Sequence, residues 1–205
     1  MPEDDHVNPP ATGAEAAGVD TLVQPKPRSP GRVVGEWVIV IVLALLAAFV
    51  IRTFVFQTFY IPSGSMEPTL QVGDRIIVSK LSYDIHSPAR GDIVVFRAPP
   101  REAFVCADPS IKDLVKRIIG LPGETISSDG NTILINNKPI AQPWFPSVPL
   151  GPAIVPTKIP AGSYFVMGDN RTNSCDSRSW GTLPSTNIIG HVIFRIWPFS
   201  QIGFP

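Results

Sequence analysis

From Trp37 to Ile51 the chain carries no charged residue. With Val33, Val34 and Thr53 to Phe56 included, the apolar stretch reaches the roughly 20 residues that a bilayer-spanning helix requires. Such a segment dictates one continuous helix, because a backbone in lipid must satisfy its own hydrogen bonds. Glu36 and Arg52 bracket the uncharged part, and Lys26, Arg28 and Arg32 precede it. The basic side predicts an amino-terminal tail in the cytoplasm and everything after the helix on the far side of the cell membrane, in a single pass. Two other readings of the segment stay open at this level. A cleavable secretory leader also pairs basic residues with an apolar run, but this run is longer than a usual leader core and lacks a clear small-x-small cleavage site after it. A buried helix of a soluble domain fits poorly with the tail that flanks it.

That tail, residues 1–32, mixes Glu3, Asp4, Asp5, Glu15 and Asp20 with prolines and small residues. It holds too little large apolar surface to offset the entropy of ordering, so it reads as disordered. Residues 33–56 form the span, and residues 57–205 have the size of one ordinary domain. The 17 basic and 17 acidic side chains balance, so nothing in the charge favours a nucleic-acid partner. Only Cys106 and Cys175 carry thiols. Both fall in the exported part, where an oxidising exterior lets them pair; two reduced, half-buried thiols are the alternative.

The exported part reads as mainly β, a compact antiparallel domain. Arg75 to Ser79 and Asp92 to Arg97 are β-branched runs preceded by Gly73 and Gly91. Thr132 to Ile135 stands between Asp129-Gly130 and Asn136-Asn137, which are hairpin signals. Tyr164 to Met167 and Ile189 to Trp197 complete the set, with a turn at Pro160 to Gly162. Beyond the anchor, helical periodicity is limited to a short turn near Pro109 to Leu114. Prolines, 23 of 205 residues, cluster in the tail, at Pro99-Pro100 and between Pro139 and Pro160, which predicts two sizeable loop excursions.

Ser65 follows the apolar span within Ile61-Pro-Ser-Gly-Ser-Met-Glu-Pro-Thr-Leu70. A serine hydroxyl is a poor nucleophile at neutral pH and needs a neighbouring base. Lysine can serve only when neutral, which burial achieves by disfavouring the ammonium form. Lys116 meets that condition if its run is a strand, because alternation then places it on one face with Leu114 and Ile118 and sends Arg117 to the other. Taken alone, a solvated strand lysine is the ordinary alternative. Ser63 and Ser65 around Gly64 would ordinarily make a turn, and Asp169-Asn170 a loop held by its own side chains. A Ser-His-Asp triad has three histidines to draw on. His6 lies in the tail, His86 in a polar turn, and His191 opens a strand. No cluster of His, Cys, Asp and Glu has metal-ligand spacing, so neither a metal nor another cofactor is expected.

Five stretches together resemble the bacterial type I signal peptidases, or leader peptidases. They are Pro62 to Leu70; Gly73-Asp74-Arg75; Arg90-Gly-Asp-Ile-Val-Val-Phe96; Lys116-Arg-Ile-Ile-Gly-Leu-Pro-Gly-Glu124; and Met167 to Gly181. All five occur in the family's order. The resemblance implies a membrane-anchored serine protease of the signal-peptidase β fold that removes amino-terminal signal peptides during protein secretion. It implies Ser65 as nucleophile and Lys116 as general base. The oxyanion hole is then the Ser65 backbone N–H with the Ser63 hydroxyl, Gly64 letting the chain approach substrate. Ser174 matches a serine that orients the lysine amine, Asp176 and Arg178 an ion-paired support, and Asp169 a scaffold residue. Small side chains at the first and third positions before the cut, as in Ala-x-Ala, would enter shallow pockets lined by Phe59, Ile61, Pro62, Leu70, Leu114 and Val115.

The partners implied are secreted preproteins bearing signal peptides, membrane lipid and, as a candidate, the export machinery. Phe59, Tyr60, Trp144 and Trp197 are candidates for contact with the outer leaflet. A disulfide from Cys106 to Cys175 would tie the loop that orients the lysine to the segment leading into Lys116. Two rival readings remain, a soluble self-cleaving repressor-type Ser-Lys protease and a tethered binding module with a defunct site; the anchor and the long Met167 to Gly181 stretch speak against the first.

Overall fold

Proline at a first helical position is pre-organised for a helix start, and the long apolar helix begins at Pro30, running unbroken as α1 (Pro30–Val50). The computed structural model describes residues 30–106, 112–144 and 149–205. The tail through residue 29 and residues 109–111 of the expected short turn lie outside them. The chain divides into two compact units, Met1–Leu43 and Ala44–Pro205. Within α1, the stretch Val33–Val50 is long and apolar enough to cross a membrane, and Trp37, Ile39 and Leu43 on it are exposed rather than packed into a core. A π-helical turn, Ile51–Val55, follows the helix. Phe56, read from sequence as the end of the span, instead opens a strand.

Eleven strands are described in the second unit: β1 (Phe56–Tyr60), β2 (Arg75–Ser79), β3 (Ile93–Arg97), β4 (Asp113–Gly120), β5 (Thr125–Asp129), β6 (Thr132–Ile135), β7 (Lys138–Pro139), β8 (Thr157–Lys158), β9 (Ser163–Met167), β10 (Leu183–Pro184) and β11 (Ile188–Trp197). Three short helices interrupt them, α2 (Ser82–Ile85), α3 (Pro100–Val105) and α4 (Ser177–Trp180). Seven strands form one sheet in the order β1-β2-β11-β3-β4-β9-β10, and four form another in the order β7-β6-β5-β8. Every described pairing is antiparallel. The fold is therefore mainly antiparallel β.

Alternation along β3 sends its side chains into two cores. Ile93 and Val95 join Ile61, Met66, Leu70, Ile76, Val78 and Val192. Val94 and Phe96 join Ile118, Tyr164, Val166, Trp180 and Leu183. Strands buried on both faces read as continuous apolar runs, which is what Ile-Val-Val-Phe shows. A third cluster, Ile119, Ile126, Ile133, Ile159 and Phe165 among it, joins β4 and β9 to the smaller sheet. In the register of β3 and β4, Val94 lies opposite Lys116 and Ile93 opposite Arg117. Directly opposed residues share a face, so Lys116 projects with Val94 and Ile118 and Arg117 projects the other way. Leu114, part of the segment read as a short turn, is a strand residue.

Candidate active site

The segment around Ser65, the nucleophile expected from sequence, is a single 3-10 turn, Gly64–Met66, entered through Ser63 in an extended conformation. Met66 and Leu70 are buried and pin this loop to the core formed by β2 and β3. Lys116 comes from β4, one of the inner strands of the larger sheet. Its Nζ lies 2.5 Å from Ser65 Oγ across a gap of 51 residues in sequence. The lysine is 3 % exposed. Burial lowers its pKa from 10.5 to about 8, with Asp176, Glu102 and Asp169 pulling back upward and Arg178 adding to the fall. A useful fraction of the amine is therefore neutral near neutral pH and in contact with the hydroxyl it could deprotonate.

The two residues open onto a cleft lined by Phe59, Ile61, Pro62, Ser63, Leu114 and Val115 and, beyond the sequence expectation, by Tyr60, Met66, Val95 and Asp113. Its cavity volume, about 40 Å³, suits small side chains only. Leu70 does not line it. Its backbone N–H donates to the Met66 carbonyl, and its side chain is fully buried in the core below. Ser63 and Ser65 share the cleft, as two oxyanion donors would have to. The Ser65 N–H stands in the first turn of a helix, where backbone donors have no intrahelical acceptor.

The Met167 to Gly181 stretch supports this pair from behind. Asp176 is completely buried and accepts from Arg178 Nη2 and Nε, both at 2.8 Å, and from the Gly168 N–H at 3.1 Å. Arg178 also donates to the Leu150 carbonyl. Ser174 Oγ is buried without a hydrogen-bond partner among the described residues; the structure does not draw it onto the Lys116 amine. It packs instead against Gly168, where a Cβ would collide with both Ser174 Oγ and the Ser65 carbonyl oxygen. Asp169 does more than hold a turn. It forms a two-pronged ion pair with Arg117 at 2.9 and 2.7 Å, buried on both sides. Arg117 further donates to the Gly91 carbonyl at 2.7 Å, and the Trp144 ring covers its guanidinium at 5.2 Å. Trp144 is thus engaged with Arg117 rather than free for lipid.

Cys106 and Cys175 are joined in a disulfide with a Cα separation of 5.9 Å. The bond fastens the end of α3 to the residue beside Ser174. His191 lies 3.8 Å from Asp92 and stacks on Tyr83. Neither it nor His86 lines the cleft, so among the described residues no histidine is placed as a base for Ser65. Among the described residues no group of His, Cys, Asp and Glu is placed to hold a metal ion.

A family model described as signal peptidase, peptidase S26, matches residues 34–197. The chain belongs to this family. The signal peptidase I of Leptolyngbya laminosa is 46 % identical over 88 % of this chain and 86 % of that protein. A probable signal peptidase I-1 of Synechocystis is 41 % identical over 85 % of the chain and 88 % of its own length. The signal peptidase I of Mycobacterium tuberculosis strain H37Rv is 36 % identical over 82 % of the chain and 74 % of its own length. A member of the S26 peptidases is a serine endopeptidase, a hydrolase, and this chain is one. The side chains that stitch the five family-like stretches together are visible in the geometry. Arg90 donates to Glu124 at 2.6 Å and to the Ile119 carbonyl, and Arg195 reaches Asp74 at 3.1 Å and the Thr69 carbonyl at 3.0 Å.

Proposed function

We propose that this chain is a single-pass, membrane-anchored endopeptidase that uses Ser65 and a neutral Lys116 to cut signal peptides from exported preproteins after Ala-x-Ala sites. Removal of signal peptides by a serine protease is the activity that family membership assigns. The dyad is our own reading, and the observation that carries it is the 2.5 Å approach of a buried lysine amine to the Ser65 hydroxyl.

In the proposed cycle the Ser65 O–H passes its proton to the unprotonated Lys116 Nζ as Oγ bonds to the scissile carbonyl carbon. The carbonyl oxygen becomes an oxyanion, held by the Ser65 N–H and the Ser63 hydroxyl. Lys116 returns the proton to the departing amine, which leaves as the new amino terminus of the mature protein. Water then loses a proton to the same amine and attacks the acyl-enzyme, releasing the signal peptide and regenerating Ser65. The narrow cleft favours small residues before the cut. Ser174 is proposed, on the family resemblance, to orient the amine, and Asp176 with Arg178 holds its loop. Phe59, Ile61, Pro62, Leu114 and Val115 are proposed to contact the substrate. The domain organisation is a tail over residues 1–32, a span starting at about residue 33, and an extracytoplasmic catalytic domain. Exposed Tyr60 and Trp197 are proposed to meet lipid.

The test is to incubate detergent-solubilised full-length protein with a preprotein bearing one Ala-x-Ala site and sequence the new amino terminus. Cleavage after the second alanine, absent in Ser65→Ala and Lys116→Ala variants that keep wild-type circular dichroism, is the expected result. Cleavage that persists in Lys116→Ala would exclude the lysine as base.

A further inference from the structure

Asn170 touches the nucleophile loop twice, at two consecutive peptide groups. Its side-chain amide Nδ2 donates to the Gly64 carbonyl at 3.0 Å, and its backbone N–H donates to the Ser65 carbonyl at 3.0 Å. These are the peptide units on either side of the Ser65 Cα. A trans peptide is planar, so its C=O and N–H point in opposite directions and turn together. Fixing the Gly64 carbonyl therefore fixes the Ser65 N–H. Fixing the Ser65 carbonyl sets the remaining backbone dihedral of the same residue. The Gly64 carbonyl also accepts from the Glu67 N–H, but at a longer 3.2 Å and from within its own loop. Among the described residues, Asn170 is the one that reaches these two carbonyls from outside the loop.

The amide is itself held in that orientation. A carbonyl can only accept, so the NH₂ end must face Gly64. The opposite end, Oδ1, accepts from Thr172 Oγ1 at 3.5 Å, and the Asn170 carbonyl accepts from the Asn173 N–H at 3.0 Å. Two residues earlier, Gly168 leaves room for the Ser65 carbonyl to dock against the same strand end.

We infer that Asn170 is a positioning residue of the oxyanion hole: by clamping the peptide planes that flank Ser65, it aims the Ser65 N–H at the oxyanion. The inference rests on the proposed Ser65–Lys116 chemistry. It distinguishes Asn170 from a loop residue held by its own side chain, because the bond that matters crosses 106 residues to the nucleophile loop. Oxyanion donors act on the transition state, not on the bound substrate, so the effect belongs in kcat.

The experiment uses the full-length protein with Asn170→Asp, which keeps the side-chain shape but presents only acceptors to Gly64, and Asn170→Ala as the second variant. Each is assayed for peptide cleavage at a pH above the rising limb of its own profile. Each is also assayed for affinity toward a substrate-sequence peptide aldehyde, whose adduct with Ser65 places an oxyanion in the hole. Substrate affinity is measured with both substitutions placed in a Ser65→Ala background. The expected result is a loss in kcat of about 10- to 100-fold in both variants, an aldehyde affinity reduced by a matching factor, and KM and Ser65→Ala-background affinity within about twofold of wild type. Wild-type aldehyde affinity in both variants would overturn the inference while leaving the Ser-Lys reading intact. Parallel losses in kcat and substrate affinity, following a fall in Tm, would likewise overturn it in favour of a loop-stability role. Failure of the wild type itself to form an aldehyde adduct would bring down the Ser-Lys reading, and this inference with it.

Discussion

Burying the Lys116 amine takes an ammonium out of water, which costs stability wherever that amine is charged. The folded-state pKa of about 8 lies below the ordinary 10.5, so between these values the unfolded chain binds more protons than the folded one. Wild-type stability attributable to this residue therefore rises from pH 8 to pH 10.5, and below pH 8 the full penalty applies. The gap corresponds to about 3 kcal/mol. Lys116→Met should abolish cleavage yet raise stability by that order at pH 7, and urea unfolding should show the gain fading by about pH 10.5. A destabilised Lys116→Met protein at pH 7 would contradict a buried, charge-averse lysine. Gly168 carries a different constraint. A methyl there meets the Ser65 carbonyl oxygen, which is backbone and cannot swing aside. Gly168→Ala should displace Ser65, the proposed nucleophile, and lower kcat by about 100-fold, as misplacement near 1 Å does; a variant within threefold of wild-type kcat would count against the packing described.

Between elements, the ties that hold the site run across long sequence gaps. The buried Arg117–Asp169 pair joins β4 to the loop after β9. Removing one partner strands the other's charge, so Asp169→Ala should destabilise the fold by about 3–5 kcal/mol in urea titration; a change below 1 kcal/mol would show the charge to be solvated. The disulfide closes a gap of 69 residues and ends beside Ser174. Reduction should cut kcat more than it raises KM, as read from peptide-cleavage kinetics before and after treatment with a thiol reductant; unchanged kcat with both thiols shown free would remove the disulfide from the catalytic argument. Strands β2, β3, β6, β9 and β11 are legible in the sequence because their β-branched runs stand between turn residues. Strand β1 is not, since Phe-Gln-Thr-Phe-Tyr continues an apolar stretch and only tertiary pairing with β2 makes it a strand. Ser127 and Ser128 hide β5 in the same way. Ser65 and Lys116 can be named from motif resemblance. The second role of Asp169 cannot, because Asp-Asn is a turn signal locally and its arginine partner is 52 residues away. Leu70 reads as a pocket residue because apolar residues beside a nucleophile look alike in sequence; the direction of its side chain is decided by the Met66–Leu70 turn.

The chain carries both an apolar helix fit to cross a membrane and the β fold of a serine endopeptidase. Single-pass anchoring predicts that the full chain resists alkaline carbonate extraction. It also predicts that protease added to the outside of intact cells digests residues 57–205 while sparing an amino-terminal epitope. Extraction into the supernatant, or an epitope lost under the same conditions, would contradict the proposed topology. The claim that everything else depends on is that a neutral Lys116 activates Ser65. The measurement that reaches it most directly is kcat/KM of the detergent-solubilised full-length protein from pH 6 to pH 10, at fixed ionic strength, on a peptide without ionisable side chains. Because the base must be unprotonated, activity should rise tenfold per pH unit and level off around an apparent pKa of about 8. A rising limb centred near 6.5, the ordinary value for histidine, or a rate independent of pH across this range, would contradict the lysine mechanism.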